Sequence, residues 1–69
     1  MNNEIKIQVK VFNSNWYQHN CMQKDGWEVK FDGKDLYVFT TLDKLNDVYR
    51  SFRSNIIKFY KNDVKVTLI

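Results

Sequence analysis

The sequence contains no proline and no alanine, only two glycines, and a single cysteine and a single histidine. One cysteine excludes an intramolecular disulfide, which agrees with a reducing compartment, and we expect Cys21 to be a small buried or half-buried side chain. A zinc site needs about four Cys or His ligands, and this chain offers two. Gly26 and Gly33 both fall at predicted turns, so neither belongs to a glycine-rich phosphate loop.

Long apolar runs are also missing. No stretch approaches the roughly 18 apolar residues of a membrane span. The first residues, "MNNEIKIQVKV", lack the apolar segment that is typical of a signal peptide. We therefore expect no membrane partner and a location in the cytoplasm of a bacterial host.

Groupings that could catalyse a reaction are equally scarce. A general base needs a nucleophile or an orienting carboxylate close to it. His19 and Cys21 are two residues apart, which places them on the same side of a strand or far apart on a helix. The sequence shows no third residue that would complete a catalytic group with them. The aspartates fall at turns and helix starts, where local hydrogen bonds account for them. The sequence predicts no enzyme, no metal site and no cofactor.

The composition carries a codon signature. Phe, Tyr, Met, Ile, Asn and Lys make up 33 of the 69 residues, whereas Gly, Ala, Arg and Pro together contribute four. The first group has AT-rich codons, and a short reading frame of this kind is typical of phage and mobile-element genes. A small chromosomal gene of a low-GC bacterium would look the same.

Length and charge narrow the class further. Sixty-nine residues predict a single domain over 1–69. The net charge of +3 lies entirely in residues 36–69, because residues 1–35 hold five lysines and five acidic residues. A basic half indicates an anionic partner.

Alternating side chains predict the first and last strands. Apolar and polar residues alternate near the amino terminus, with Ile5, Ile7, Val9 and Val11 as the apolar set. The closing "VKVTLI" repeats the pattern, with Val64, Val66 and Leu68 on one face. Such a period of two is the mark of a half-buried strand.

The segment "NSNWYQHNCMQKDG" predicts a short helix over residues 15–24. Ser14 is a candidate N-cap and Gly26 a candidate for the first residue beyond the helix. A helix would also place Tyr17 and Cys21 on one face. His19 and Asn20 are poor helix formers, so a loop or an extra strand is the alternative.

The same region carries one short resemblance to a known family. The residues "QKDGWEV" resemble the junction of the first helix and the following strand in HicA-type RNase toxins, where the helix ends in Gly and an aromatic residue opens the strand. That family has a Gly-Ser-His run in the next strand, whereas "KFDGKDLYV" contains no histidine. The resemblance implies a helix that ends near Asp25, and it does not carry over the RNase activity.

Residues 27–41 predict a hairpin. Asp32-Gly33 is a strong signal for a two-residue turn, because both central residues of a type I′ turn need a positive φ. This turn would set Phe31 opposite Lys34 and Val29 opposite Leu36. A loop centred on Gly33-Lys34 would shift the pairing by two and leave the faces unchanged. In either case the core face holds Trp27, Val29, Phe31, Leu36 and Val38. The other face holds Glu28, Lys30, Asp35, Tyr37 and Phe39, with Lys30 next to Asp35.

A long amphipathic helix follows. Thr41 is a candidate N-cap, and the apolar stripe comprises Leu42, Leu45, Tyr49, Phe52, Ile56 and Phe59, widened by Val48 and Tyr60. The 3-4-3-4 spacing predicts a helix of about five turns. Acidic residues come early in it and basic residues late, which suits the helix dipole.

Together these elements predict an α+β domain in the order β-α-β-β-α-β. That is the order of the split βαβ, or ferredoxin-like, plan, with an antiparallel sheet of about four strands packed on the long helix. Without the first helix the order becomes β-β-β-α-β, a curved sheet wrapped on one long helix. Both are α+β folds.

The candidate binding residues lie on two surfaces. If the helices cover one side of the sheet, the other side displays lysines around two aromatic residues, an arrangement that holds phosphates and stacks bases in RNA-recognition modules. This set is Lys6, Lys10, Lys30, Tyr37, Phe39 and Lys65. The alternative is that Tyr37 and Phe39 pack under a loop, the chain end or a second copy in a homodimer. The second surface is a basic stripe on the long helix, which includes Arg50, Arg53 and Lys58.

Two hypotheses for the function follow. The first is an inhibitor or modulator encoded by a phage or mobile element, which binds a host protein or nucleoprotein complex that handles nucleic acids, in the manner of an anti-CRISPR protein. The second is direct binding of RNA or single-stranded DNA through the sheet.

Overall fold

The computed structural model describes residues 4–52 and 63–69. Four strands and two helices follow one another: β1 (Lys6–Val11), α1 (Trp16–Lys24), β2 (Glu28–Phe31), β3 (Leu36–Thr41), α2 (Leu45–Phe52) and β4 (Val64–Leu68). A 3₁₀ turn, Leu42–Lys44, leads into α2. The predicted order β-α-β-β-α-β is therefore confirmed. The alternative without a first helix is wrong, because residues 16–24 form one.

The four strands make one antiparallel sheet in the order β2-β3-β1-β4. Strand β3 lies between β1 and β2, the two strands that helix α1 connects. This insertion defines the split βαβ plan, so the ferredoxin-like expectation is confirmed. The central strands are β3 and β1, and β2 and β4 form the edges.

Both helices pack on the same face of the sheet. Three residues of β1 and two of β3 form the sheet side of the core, which Met22 of α1 and the α2 residues Val48 and Phe52 cover. The hairpin faces are as predicted, since Leu36 and Val38 are buried and Trp27, Val29 and Phe31 pack against the core. The ends of the alternating patterns are not covered: Ile5 is 47% exposed and Leu68 is 67% exposed.

The N-cap of helix α1 lies one residue later in the chain than predicted. Asn15 is the N-cap, and its side chain accepts a hydrogen bond from the backbone N–H of Gln18 at 2.9 Å. The hydroxyl of Ser14 donates instead to the side chain of Gln18. Ser14 is therefore the wrong cap, because Asn15 has the extended backbone that an N-cap requires.

The helix ends as predicted, at a glycine. Gly26 has a φ of +99°, its N–H donates to the carbonyl of Gln23, and the N–H of Trp27 donates to that of Met22. These two bonds form a Schellman motif, which satisfies carbonyls that the last turn leaves free. The buried side of α1 holds Gln18 and Met22. Tyr17, by contrast, is 53% exposed.

The hairpin register differs by two from the one that an Asp32-Gly33 turn would give. Phe31 pairs with Leu36, and the backbone N–H of Asp32 donates to the carbonyl of Asp35. Gly33, at a φ of +99°, and Lys34 are thus the central residues, which is the alternative turn. The reason is that Asp32 occupies the first turn position, where its carboxylate accepts two backbone N–H groups further along.

The amphipathic pattern of α2 is only partly used. Val48 and Phe52 are buried and Leu45 packs against the core, as predicted. Leu42 is 41% exposed, because it belongs to the 3₁₀ turn that precedes the helix. Thr41 is the N-cap of that turn, and its hydroxyl donates to the side chain of Asp43. The predicted continuation of the helix, with Ile56, Phe59 and Tyr60, lies outside the described residues.

Candidate binding face

The sheet has a second side on which neither described helix packs. We call this side the open face. Alternation along the strands places its residues, which are Lys6, Gln8, Lys10, Glu28, Lys30, Tyr37, Phe39, Lys65 and Thr67. Two rows cross it, and each row is centred on an aromatic residue of β3.

The first row runs straight across all four strands. Tyr37 pairs with Lys30 on one side and Lys10 on the other, and Lys10 pairs in turn with Lys65. Three ammonium groups therefore share one line with a single phenol ring, over about 14 Å from edge to edge. The Tyr37 side chain is half-buried, and Lys30 and Lys65 are exposed.

Lys10 differs from the other two lysines because it already has partners. Its Nζ lies 3.7 Å from an Asp35 carboxylate oxygen, 4.7 Å from the centre of the Phe12 ring and 5.7 Å from that of Tyr37. The prediction that Lys30 lies next to Asp35 is wrong, because the register shift places Lys30 opposite Tyr37. Lys10 thus lies between Asp35 and two aromatic rings, whereas Lys30 and Lys65 are exposed to solvent.

The second row is centred on Phe39. It pairs with Glu28 and with Gln8, and Gln8 pairs with Thr67. Phe39 lies two residues from Tyr37 on the same face, about 7 Å away along the strand. The half-buried Phe39 side chain lines two shallow depressions of about 310 Å³ each.

The depression beside Tyr37 has a mixed lining. We call it the Tyr37 depression, and its walls are Gln8, Lys30, Asp32, Tyr37 and Phe39. The other depression lies toward the opposite end of the strands and includes Lys6, Glu28 and Thr41 in its lining. Both contain an aromatic wall, a lysine and a carboxylate, so each presents an apolar surface beside charge.

Asp32 is the residue of this site that sequence analysis missed. One carboxylate oxygen, Oδ1, accepts the backbone N–H of Asp35 at 2.7 Å and that of Lys34 at 2.9 Å. These bonds, the one from Asp35 first, hold the pKa of Asp32 below its usual value of 3.8. The signal that could have found it is an aspartate at the first position of a turn, the preferred position for its type.

The loop after β1 is tied to this turn. The N–H of Asn13, which has a φ of +54°, donates to a carboxylate oxygen of Asp35, and the N–H of Ser14 donates to the carbonyl of Lys34. Two segments that are distant in sequence therefore brace each other beside the Tyr37 row. This bracing positions Asp32 and Asp35 relative to the strands.

The predicted site residues divide into three groups. The structure brings six together on the open face: Lys6, Lys10, Lys30, Tyr37, Phe39 and Lys65. Arg50 is not among them. It lies on the helix side, near Trp27, and its guanidinium is 3.0 Å from the Asp47 carboxylate. Arg53 and Lys58 lie outside the described residues.

A second aromatic group lies on the helix side at the β2 edge. Trp16 is 60% exposed, and its ring meets those of Phe31 and His19 edge-on at centroid distances of 4.8 and 5.2 Å. Tyr17 is exposed next to it. His19 and Cys21, both in α1, are two residues apart and so point to different sides of that helix. Cys21 is half-buried, as expected.

Within residues 4–52 and 63–69, no three His, Cys, Asp or Glu side chains are grouped so that they could hold a metal ion. Among these same residues no helix has the length and apolar character to cross a membrane. No protein-family model, curated protein or solved structure matches the chain.

Proposed function

We propose that this protein is a non-enzymatic binding domain that holds single-stranded RNA or DNA on its open face. The observation that carries the proposal is the Tyr37 row, in which one aromatic ring shares a line across the sheet with three lysines. Proteins that bind single strands combine aromatic side chains, on which bases stack, with basic groups that hold the phosphates.

The geometry of the two aromatic residues supports this proposal. Tyr37 and Phe39 lie on a central strand, so their positions are set by pairing on both sides. A rigid support of this kind reduces the ordering cost of binding. The exposed lysines Lys30 and Lys65 lie toward the two edges of the sheet, where a backbone that crosses the strands would pass.

The second candidate is the inhibitor or modulator of a host nucleic-acid-handling machine, encoded by a phage or mobile element. Two observations favour a protein partner. The open face also carries acidic groups, among them Glu28 opposite Phe39, and Asp35 compensates the charge of Lys10. On the helix side, the exposed Trp16 and Tyr17 are residue types enriched at protein interfaces.

Fluorescence anisotropy with labelled single-stranded RNA and DNA tests the first candidate. We expect binding that weakens steeply as salt rises, because phosphate contacts release counterions. Tyr37→Ala with Phe39→Ala should weaken binding by about 2 kcal/mol or more, since each stacked base contributes about 1–3 kcal/mol. The matched control is Trp16→Ala with Tyr17→Ala, which removes two exposed aromatic rings from the helix side and should leave nucleic-acid binding intact.

The outcomes separate the two candidates. Equal loss in both double variants, or no affinity for any single strand at low salt, would contradict nucleic-acid binding on the open face. Recovery of a bacterial protein from nuclease-treated lysate by the parent, together with no binding of bare nucleic acid, would favour the inhibitor. Circular dichroism of every variant establishes that each one is folded.

A further inference from the structure

One carboxylate oxygen of Asp32 can accept further hydrogen bonds. Oδ1 is occupied by the two backbone N–H groups of the turn. From residues 4–52 and 63–69, Oδ2 receives only the Tyr37 hydroxyl, at 3.4 Å, which is long for an O–H···O bond. A carboxylate has about four acceptor positions. Asp32 lines the Tyr37 depression, so this acceptor is available at the place where a stacked base would lie.

No other wall of the depression combines a negative charge with acceptor atoms alone. Among the five lining residues only Asp32 carries a negative charge. Gln8 carries both a donor and an acceptor and can adapt to either kind of base edge. Lys30 offers only donors, which suit a phosphate. The depression therefore favours one orientation of a bound nucleotide. Its phosphate lies toward Lys30 and its base edge toward Asp32, because the carboxylate repels phosphate.

We infer that the Tyr37 depression selects nucleobases that carry an exocyclic amino group, and that Asp32 is the residue that makes the selection. This inference rests on the proposed binding of single strands. An aspartate accepts a hydrogen bond from the N4 amino group of cytosine. Uracil has a carbonyl oxygen at the same ring position, and its ring N–H lies between two carbonyl oxygens, which a carboxylate repels. Cytosine and uracil otherwise have the same size and shape, so they form a matched pair of ligands.

The test compares single-stranded homopolymers of cytidine and uridine of equal length, at neutral pH and constant salt, by fluorescence anisotropy. We expect the parent protein to bind the cytidine polymer about five-fold or more tightly than the uridine polymer, as a hydrogen bond to a charged group provides. Asp32→Asn should reverse this preference. The Asn Oδ1 can still accept the two turn N–H groups, which leaves its NH₂ group, a donor, at the position of Oδ2.

Two controls accompany the variant. Asp47→Asn removes one negative charge on the helix side, so it should change both affinities in the same proportion and leave their ratio as in the parent. A polymer of pyrimidin-2-one nucleotides lacks the amino group altogether and requires no change in the protein. The parent should bind this polymer more weakly than the cytidine polymer, because the amino group is missing. This comparison tests the inference even if Asp32→Asn is poorly folded.

The possible results distinguish a failure of the Asp32 assignment from a failure of the proposed function. Equal affinity of the parent for cytidine and uridine polymers, or a cytidine preference that survives in folded Asp32→Asn, would overturn the assignment of Asp32 while leaving the binding face in place. Binding of neither polymer would remove the proposed function and this inference together. Cytidine preference in the parent, lost with the pyrimidin-2-one polymer and reversed in Asp32→Asn, would establish the selection.

Discussion

Replacing Phe52 by alanine should remove the largest fully buried side chain of the described core. The ring is 2% exposed and packs in the cluster that joins α2 to the sheet and to Met22 of α1. Deletion of a buried aromatic ring costs about 3–5 kcal/mol, which combines lost transfer free energy with the cavity that remains. The position of Phe52 between two helices and the sheet limits how far its surroundings can collapse.

That cost is large for a chain of this length. At about 0.05–0.15 kcal/mol per residue, the whole domain is stable by roughly 3–10 kcal/mol. For a domain of 60–100 residues, each kcal/mol shifts the melting temperature by about 4–8 °C. We therefore expect Phe52→Ala to melt about 12–40 °C below the parent, or to be largely unfolded at 25 °C.

Leu42→Ala is the matched control, because Leu42 belongs to the same apolar stripe in the sequence. The structure leaves it 41% exposed in the 3₁₀ turn, so its replacement should cost about 1 kcal/mol or less. Thermal and urea unfolding followed by circular dichroism measure both variants. Equal destabilisation, or a Phe52→Ala protein that melts within a few degrees of the parent, would refute the packing of α2 described above.

Two further predictions concern titratable and reactive groups. Because the pKa of Asp32 is lowered in the folded protein, its contribution to stability is complete above its usual value of 3.8 and is lost as the pH falls through the lower folded value. The difference in urea midpoint between parent and Asp32→Asn should therefore shrink between about pH 5 and pH 2, and a constant difference would contradict the turn hydrogen bonds. Cys21→Ser with His19→Gln should leave nucleic-acid binding unchanged, as the same anisotropy assay would measure, and its loss in a folded double variant would indicate a metal or catalytic role.

The faces of the strands follow from local pattern alone. A period of two can put Val29 and Leu36 on one side and Tyr37 and Phe39 on the other whichever even-length loop joins the strands. The register cannot be obtained in this way. It depends on whether Asp32 is a central turn residue or the first one, and the hydrogen bonds to Lys34 and Asp35 decide that.

The helices show the same division. The apolar spacing in α2 identifies Val48 and Phe52 as core residues, and Gly26 marks the end of α1. The exposure of Leu42 could not be predicted from the sequence. Whether residues 42–44 form a 3₁₀ turn or the first turn of an α-helix depends on the position and direction of the backbone at the end of β3. In α1 the buried residues are Gln18 and Met22. Because Gln18 is polar, the sequence shows no apolar stripe that would have identified this face as the buried one.

Local sequence patterns are enough to predict the four strands, α2, the two sides of the sheet and the aromatic pair of β3, since each depends on residues close together in the chain. The charges that lie beside this aromatic pair depend on tertiary structure. The line of Lys30, Tyr37, Lys10 and Lys65 crosses four strands, of which only β2 and β3 are joined directly by a turn, and the pairing of Lys10 with Asp35 depends on the register between β1 and β3. Contacts between strands are set by pairing and packing across the sheet, and no local pattern encodes them.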